Sequence, residues 1–201
     1  MEPDLQSTIA LLAAKPAALN ALLRDLPDEL TLANEGSTHD GSPTWCPQEI
    51  VAHLIYGERA DWIPRLRMIL EHGEAKTFAP FDREGFAREL QEMRAKTRDE
   101  ASRGPEGHSL AELLDEFARV RAANLKELRA MKLGKKDLAR RGRHPVFGSV
   151  TLGQLLATWP AHDLTHLHQL ARVLAHQYRN AVGPWTEYLG VMQCDAHSAR
   201  A

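Results

Sequence analysis

The stretch Thr151–Gln177, TLGQLLATWPAHDLTHLHQLARVLAHQ, decides how the chain is read. Thr151, with Gln154 three residues on, is a capping box, the reciprocal pairing that opens a helix. Steps of three and four then carry an apolar seam through Leu152, Leu155, Trp159, Leu170 and Val173. Two further positions of that seam, His162 and His166, hold imidazoles where a buried seam calls for leucine. Residues at i and i+4 share a helix face, so both rings can reach one metal ion. Spacing by itself is weak, because ten histidines in 201 residues give about half such a pair by chance. Position is the stronger argument, since two unpartnered imidazoles on an apolar stripe are costly to bury. The competing reading is a pair of core histidines satisfied by polar neighbours. Pro160 lies inside the helix, where it bends the axis or is absorbed by a local irregularity.

Three more helices are expected upstream. Residues 5–26 carry Leu5, Ile9, Leu12, Pro16, Leu19, Leu23 and Leu26, an amphipathic stripe that Pro16 should kink and Pro27 should close. A second helix opens at Pro47, with Cys46 as its cap and Glu49 at the third helical position. Its seam is Cys46, Ile50, His53, Gly57 and Ala60; Pro64 should bend it on the way to about Leu70. Glu49 reads first as a capping residue, with a contact to His53 as the alternative. A third helix opens at Ser109, with Glu112 completing a capping box. Its stripe, Leu110, Leu113, Phe117, Val120, Asn124, Leu128 and Met131, has one polar exception. Asn124 either fixes packing register or faces the metal site.

The remaining stretches connect these helices. Residues 33–44 are a turn-rich loop, and Asp82 caps a short charged helix over about 83–98 that reads as a solvated face. Residues 134–150 suggest a small hairpin bearing His144 and the Arg140, Arg141 and Arg143 cluster, either plain surface or a contact for an anionic group. Gly183-Pro184 ends the last helix, and WTEYLGVM follows as a packing segment. The expected architecture is all-α, a four-helix bundle with a short extra helix and a small hairpin before the last long helix. One domain is expected over 1–192, with 193–201 a frayed tail.

Composition removes several classes of function. A net charge of −2, with acids and bases interspersed, argues against binding nucleic acid by phosphate neutralisation. No apolar run is long enough for a membrane span, and MEPDLQST lacks the features of a signal peptide. Two cysteines, Cys46 and Cys194, make no disulfide framework, which fits a reducing cytoplasmic setting.

His53 from the second helix can meet His162 and His166 across a bundle core. Three neutral imidazoles suit Zn, Ni or Fe, and three protein ligands leave a coordination position open, as in catalytic sites. Asp163 points about 100° around the helix from His162, so it supports structure rather than completing the same coordination sphere.

The run Trp45-Cys46-Pro47-Gln48-Glu49-Ile50-Val51-Ala52-His53-Leu54, with His162-Asp163-Leu164-Thr165-His166-Leu167-His168-Gln169, resembles the DinB/YfiT-like superfamily. The family pattern is W-S-x-x-E-hydrophobic-x-x-H-L, followed about a hundred residues later by H-x-x-x-H-x-x-Q. Cys46 stands where serine is usual, which alters a cap and not a ligand; His168 and His176 fall outside the pattern. The resemblance implies a four-helix bundle, commonly dimeric, with a divalent metal on His53, His162 and His166. It also implies a small-molecule substrate, such as a low-molecular-weight thiol transferred to an electrophile by an S-transferase. A hydrolase and a non-enzymatic metal-binding or stress-response bundle are the alternatives. HDxxH is not HExxH, so a metalloprotease is disfavoured.

Overall fold

Local signals set the helix ends. In the computed structural model, which describes residues 4–37, 44–82, 85, 88 and 109–194, the helices are α1 (Leu5–Leu23), α2 (Asp28–Thr31), α3 (Pro47–Ala60), α4 (Trp62–His72), α5 (Leu110–Ala130), α6 (Lys135–Leu138) and α7 (Leu152–His176). Ser109 N donates to Glu112 Oε2 at 2.7 Å while Glu112 N donates to Ser109 Oγ at 3.3 Å. Thr151 and Gln154 make the same exchange at 2.8 and 3.1 Å. Each box satisfies amides that the first helical turn leaves without partners. Among the described residues, no helix is long and apolar enough to cross a membrane.

Proline positions behave unequally. Pro16 and Pro160 are absorbed, and α1 and α7 run through them. Pro64 is not. It has no amide to donate to the Ala60 carbonyl, and the helix divides one residue later, at Asp61, instead of bending on to Leu70. Asp61 serves as the end of α3 and the start of α4. α1 ends at Leu23, a turn before Pro27. Asp82 Oδ1 accepts from Gly85 N at 2.6 Å, as a cap would. Most of the charged helix expected over 83–98 lies outside the described residues, as does 195–201 of the expected tail.

The long helices form a four-helix bundle. α1 packs on α5 and α7, and α3 packs on the same two helices, so the consecutive α1 and α3 sit across a diagonal. That arrangement sets α3 beside α7, the two helices that carry the histidines. The hairpin pairs β1 (Arg141–His144) with β2 (Gly148–Thr151), antiparallel, and its last residue is also the N-cap of α7. A Cβ on Gly142 would stand 2.6 Å from Ile69 Cγ1, so glycine lets the hairpin lie against α4. His144 Nδ1 accepts from Val146 N and Phe147 N at 3.1 and 3.2 Å, closing its own turn. After α7, Leu189, Val191 and Met192 are half-buried, while Trp185 and Tyr188 stay exposed.

The apolar core is in two parts. One gathers Leu12, Trp62, Leu66, Leu125, Leu128, Leu156 and Trp159; the other gathers Leu19, Ile50, Leu54, Phe117, Leu170 and Val173. Along each helix, the residue between the two parts is charged: Lys15, Glu58, Arg121 and Asp163, all 4% exposed or less.

Candidate metal centre

α3 and α7 bring His53, His162 and His166 together, one ligand atom from each within 4.8 Å of the others. His162 Nε2 lies 3.4 Å from His53 Nε2 and 3.1 Å from His166 Nε2. An ion held tetrahedrally at about 2.0–2.1 Å from each nitrogen requires separations of roughly 3.3–3.4 Å, and the two distances at His162 Nε2 lie close to that. The protonation pattern fits as well. His166 Nδ1 lies 2.7 Å from Gln169 Oε1, an acceptor, which places the proton there and the free lone pair on Nε2.

Burial keeps the rings neutral. It is the main reason His53 is held down to about 2, with His166 and His162 adding to the effect. Burial likewise takes His162 to about 3, helped by His166, Lys15 and Arg121. His166 is lowered by burial, against the opposing pull of its bond to Gln169. Neutral imidazole is the form that ligates metals.

Aromatic side chains wall the cluster. Trp45 lies 4.9 Å from the His53 ring and stacks at 6.4 Å on His166; Phe81 meets His53 at 5.8 Å. Trp62 meets His162 edge-on at 5.2 Å and stacks on Trp159. Trp45 opens the motif that carries Glu49 and His53, but nothing in its spacing announces a place beside the three histidines. Trp62 and Phe81 lie on segments that read as packing and loop.

The other expected residues have different places. Glu49 Oε2 accepts from Cys46 N at 2.8 Å and acts as a cap. Asn124 Nδ2 donates to the Glu58 carbonyl at 2.8 Å and to Glu58 Oε2 at 3.0 Å, tying α5 to α3. Asp163 takes both Arg121 Nη atoms, at 2.7 and 3.0 Å, and does not join the cluster. His168 is exposed on α7.

Glu58, Arg121 and Lys15 were not singled out in the sequence, although Arg121 and Lys15 each had a signal. Arg121 continues the seam Leu114, Phe117, Leu125 and Leu128, and Lys15 the seam Thr8, Leu12, Leu19 and Leu23. Periodicity could not choose between these seams and their neighbours one residue over.

A helical bundle presenting three convergent neutral histidines from two helices defines the class: a candidate divalent-metal protein with coordination positions to spare. The family model of the DinB superfamily matches residues 11–170, and the chain belongs to that superfamily. YfiT from Bacillus subtilis, described as a probable metal-dependent hydrolase with an unusual four-helix bundle topology, shares the fold with a TM-score of 0.61. The two sequences are 18% identical, over 89% of this chain and 90% of that one. No curated protein matches the chain.

Proposed function

We propose that this protein is a divalent-metal enzyme that transfers a low-molecular-weight thiol to an electrophile, with His53, His162 and His166 as the ligands. The observation that carries the reading is the ligand set. Three neutral imidazoles bring no charge of their own, so the centre keeps a full double positive charge for an anionic ligand. A bound ion would supply Lewis acidity and hold a thiol as its thiolate without a protein base. The buried carboxylates on the same helices are otherwise engaged: Asp163 and Glu58 pair with Arg121, and Glu49 caps α3 at Cys46 N. Trp45, Trp62 and Phe81 line the cluster with apolar rings, which suit an apolar electrophile.

A hydrolase is the second reading, favoured by the likeness to YfiT. It requires a group able to take a proton from water: Asp163 would have to leave Arg121, or Glu49 the Cys46 amide, to serve.

Metal content of tag-free protein and of a His166→Ala variant tests the centre. We expect about one equivalent in the wild type and little in the variant. Wild type that stays empty after reconstitution with Zn and with Ni ends the metal reading. Cobalt-loaded protein that gains a sulfur-to-cobalt charge-transfer band with small thiols, and consumes thiol with an electrophile, supports transfer. Ester cleavage without any response to thiol would move the assignment to the hydrolase.

A further inference from the structure

His162 is the hub of the cluster, since both short inter-imidazole distances end on its Nε2. Its Nδ1 is buried and has no hydrogen-bond partner among the described residues, whereas His166 is steered by Gln169. Ligating histidines are ordinarily aimed by an acceptor on the second nitrogen. The hub ligand therefore needs another source of orientation, and the next residue of α7 offers one.

Asp163 is 4% exposed. Its two oxygens take Arg121 Nη1 at 2.7 Å and Nη2 at 3.0 Å in a fork, and its main-chain carbonyl takes Lys15 Nζ. Arg121 is held in turn by Glu58 Oε1 at 2.8 Å and by the Leu12 carbonyl at 2.9 Å. One residue of α7, directly beside the hub ligand, is thus tied to α1 and α5 and, through Arg121, to α3. A fork of two parallel bonds is directional and resists rotation of the helix that bears it. Rotation matters here: a turn of about 10° moves a ring nitrogen standing roughly 8 Å from the helix axis by more than about 1 Å. Sites of this kind tolerate about half that displacement.

We propose that Asp163 is a positioning residue of the metal centre: through Arg121 it fixes the rotation of α7 and so aims His162, without touching the ion. The proposal rests on the reading of the three histidines as a metal site. A merely structural role for the same pair predicts lower stability with unchanged metal affinity, so affinity is the quantity to measure.

The test titrates cobalt(II) into tag-free wild type, D163N, R121K and L128A, with the stability of each metal-free protein taken from urea denaturation. D163N keeps the side-chain size and removes the charge; R121K keeps the charge and removes the fork. Leu128 is fully buried in the apolar core on the same helix as Arg121, so L128A destabilises without entering the network. The expected result is cobalt binding about 10- to 100-fold weaker in D163N and R121K, with altered visible bands, and wild-type affinity in L128A. Either variant carries the test if the other does not fold. If both charged-layer variants bind cobalt as tightly as wild type, or L128A loses affinity in step with its stability, the positioning role is overturned while the metal site stands. Wild type that takes up no cobalt overturns both.

Discussion

Two polar clusters are buried in this bundle, one residue apart along α7, and they are built in opposite ways. In the layer of Lys15, Glu58, Arg121 and Asp163, Arg121 pairs with both carboxylates at 2.7–3.0 Å, Lys15 donates to the Asp163 main-chain carbonyl, and Trp159 Nε1 adds a further donor to Glu58 at 2.8 Å. The three histidines bring like atoms together, with the Nε2 of His162 3.1 and 3.4 Å from the Nε2 atoms of His166 and His53. In the first cluster both Arg121 Nη atoms meet carboxylates and only its Nε lacks a partner among the described residues, whereas the second gathers nitrogens suited to a cation. Burial and helix are shared, so neither distinguishes structure from function here. The distinction lies in whether the polar atoms answer one another.

Breaking the first cluster should have the largest effect. Arg121→Ala removes the guanidinium that serves Glu58 and Asp163 together, leaving two buried carboxylates without their shared cation. We expect a loss of about 3–5 kcal/mol in the stability of the metal-free protein, read by urea denaturation. A loss no greater than that of an exposed-arginine variant such as Arg129→Ala would show that water reaches the layer and that it is not closed.

Lys15 tests the same layer through pH. Burial pushes its ammonium down to about 8, with Asp163 opposing and Arg121 assisting the shift, against 10.5 when the side chain is free. Between those values the unfolded chain holds a proton that the folded chain has released, so stability rises with pH across that window. Below about 8 both states are protonated and the burial penalty is fully present. Lys15→Met has no such proton. Its stability relative to wild type should therefore fall by up to about 3 kcal/mol between pH 7 and pH 10.5, with other titrating groups cancelling in the difference. A difference that does not change with pH would place Lys15 in contact with solvent.

Legibility in the sequence followed the same division. The three capping pairs, Cys46 with Glu49, Ser109 with Glu112 and Thr151 with Gln154, could be read because each is a local signal three residues long. The histidines could be read because imidazole on an apolar seam is conspicuous and because His53 and His162 lie in recognisable motifs. Lys15, Glu58 and Arg121 were hidden for the converse reason, since a lone charge near a seam looks like its solvated edge, while Asp163 was legible as a structural residue from its angle to His162. Only the assembled bundle shows that Lys15, Glu58, Arg121 and Asp163 sit at one level, two positive and two negative. The division of α3 from α4 was visible as Pro64, but the sequence gives no measure of whether a proline will be absorbed, as Pro16 and Pro160 are, or will end a helix.

The smallest effect is expected where the second cluster is disrupted, and its sign is the informative part. His162→Leu removes a buried Nδ1 that has no partner among the described residues, and an Nε2 that faces two other imidazole nitrogens. It places an apolar side chain of similar size against Trp62. Replacing an unsatisfied polar group by an apolar one of like shape is neutral or stabilising, so the metal-free variant should match wild type or exceed it by up to about 1 kcal/mol. Metal should reverse the order. At a free concentration of one hundred times Kd, a ligand that binds only the folded state adds about 2.7 kcal/mol, and a variant without the hub ligand forgoes most of it. Thermal melts of both proteins with and without Zn would show the crossing. If His162→Leu is strongly destabilised without metal, as Arg121→Ala should be, the histidines are a satisfied part of the core and the contrast between the two clusters does not hold.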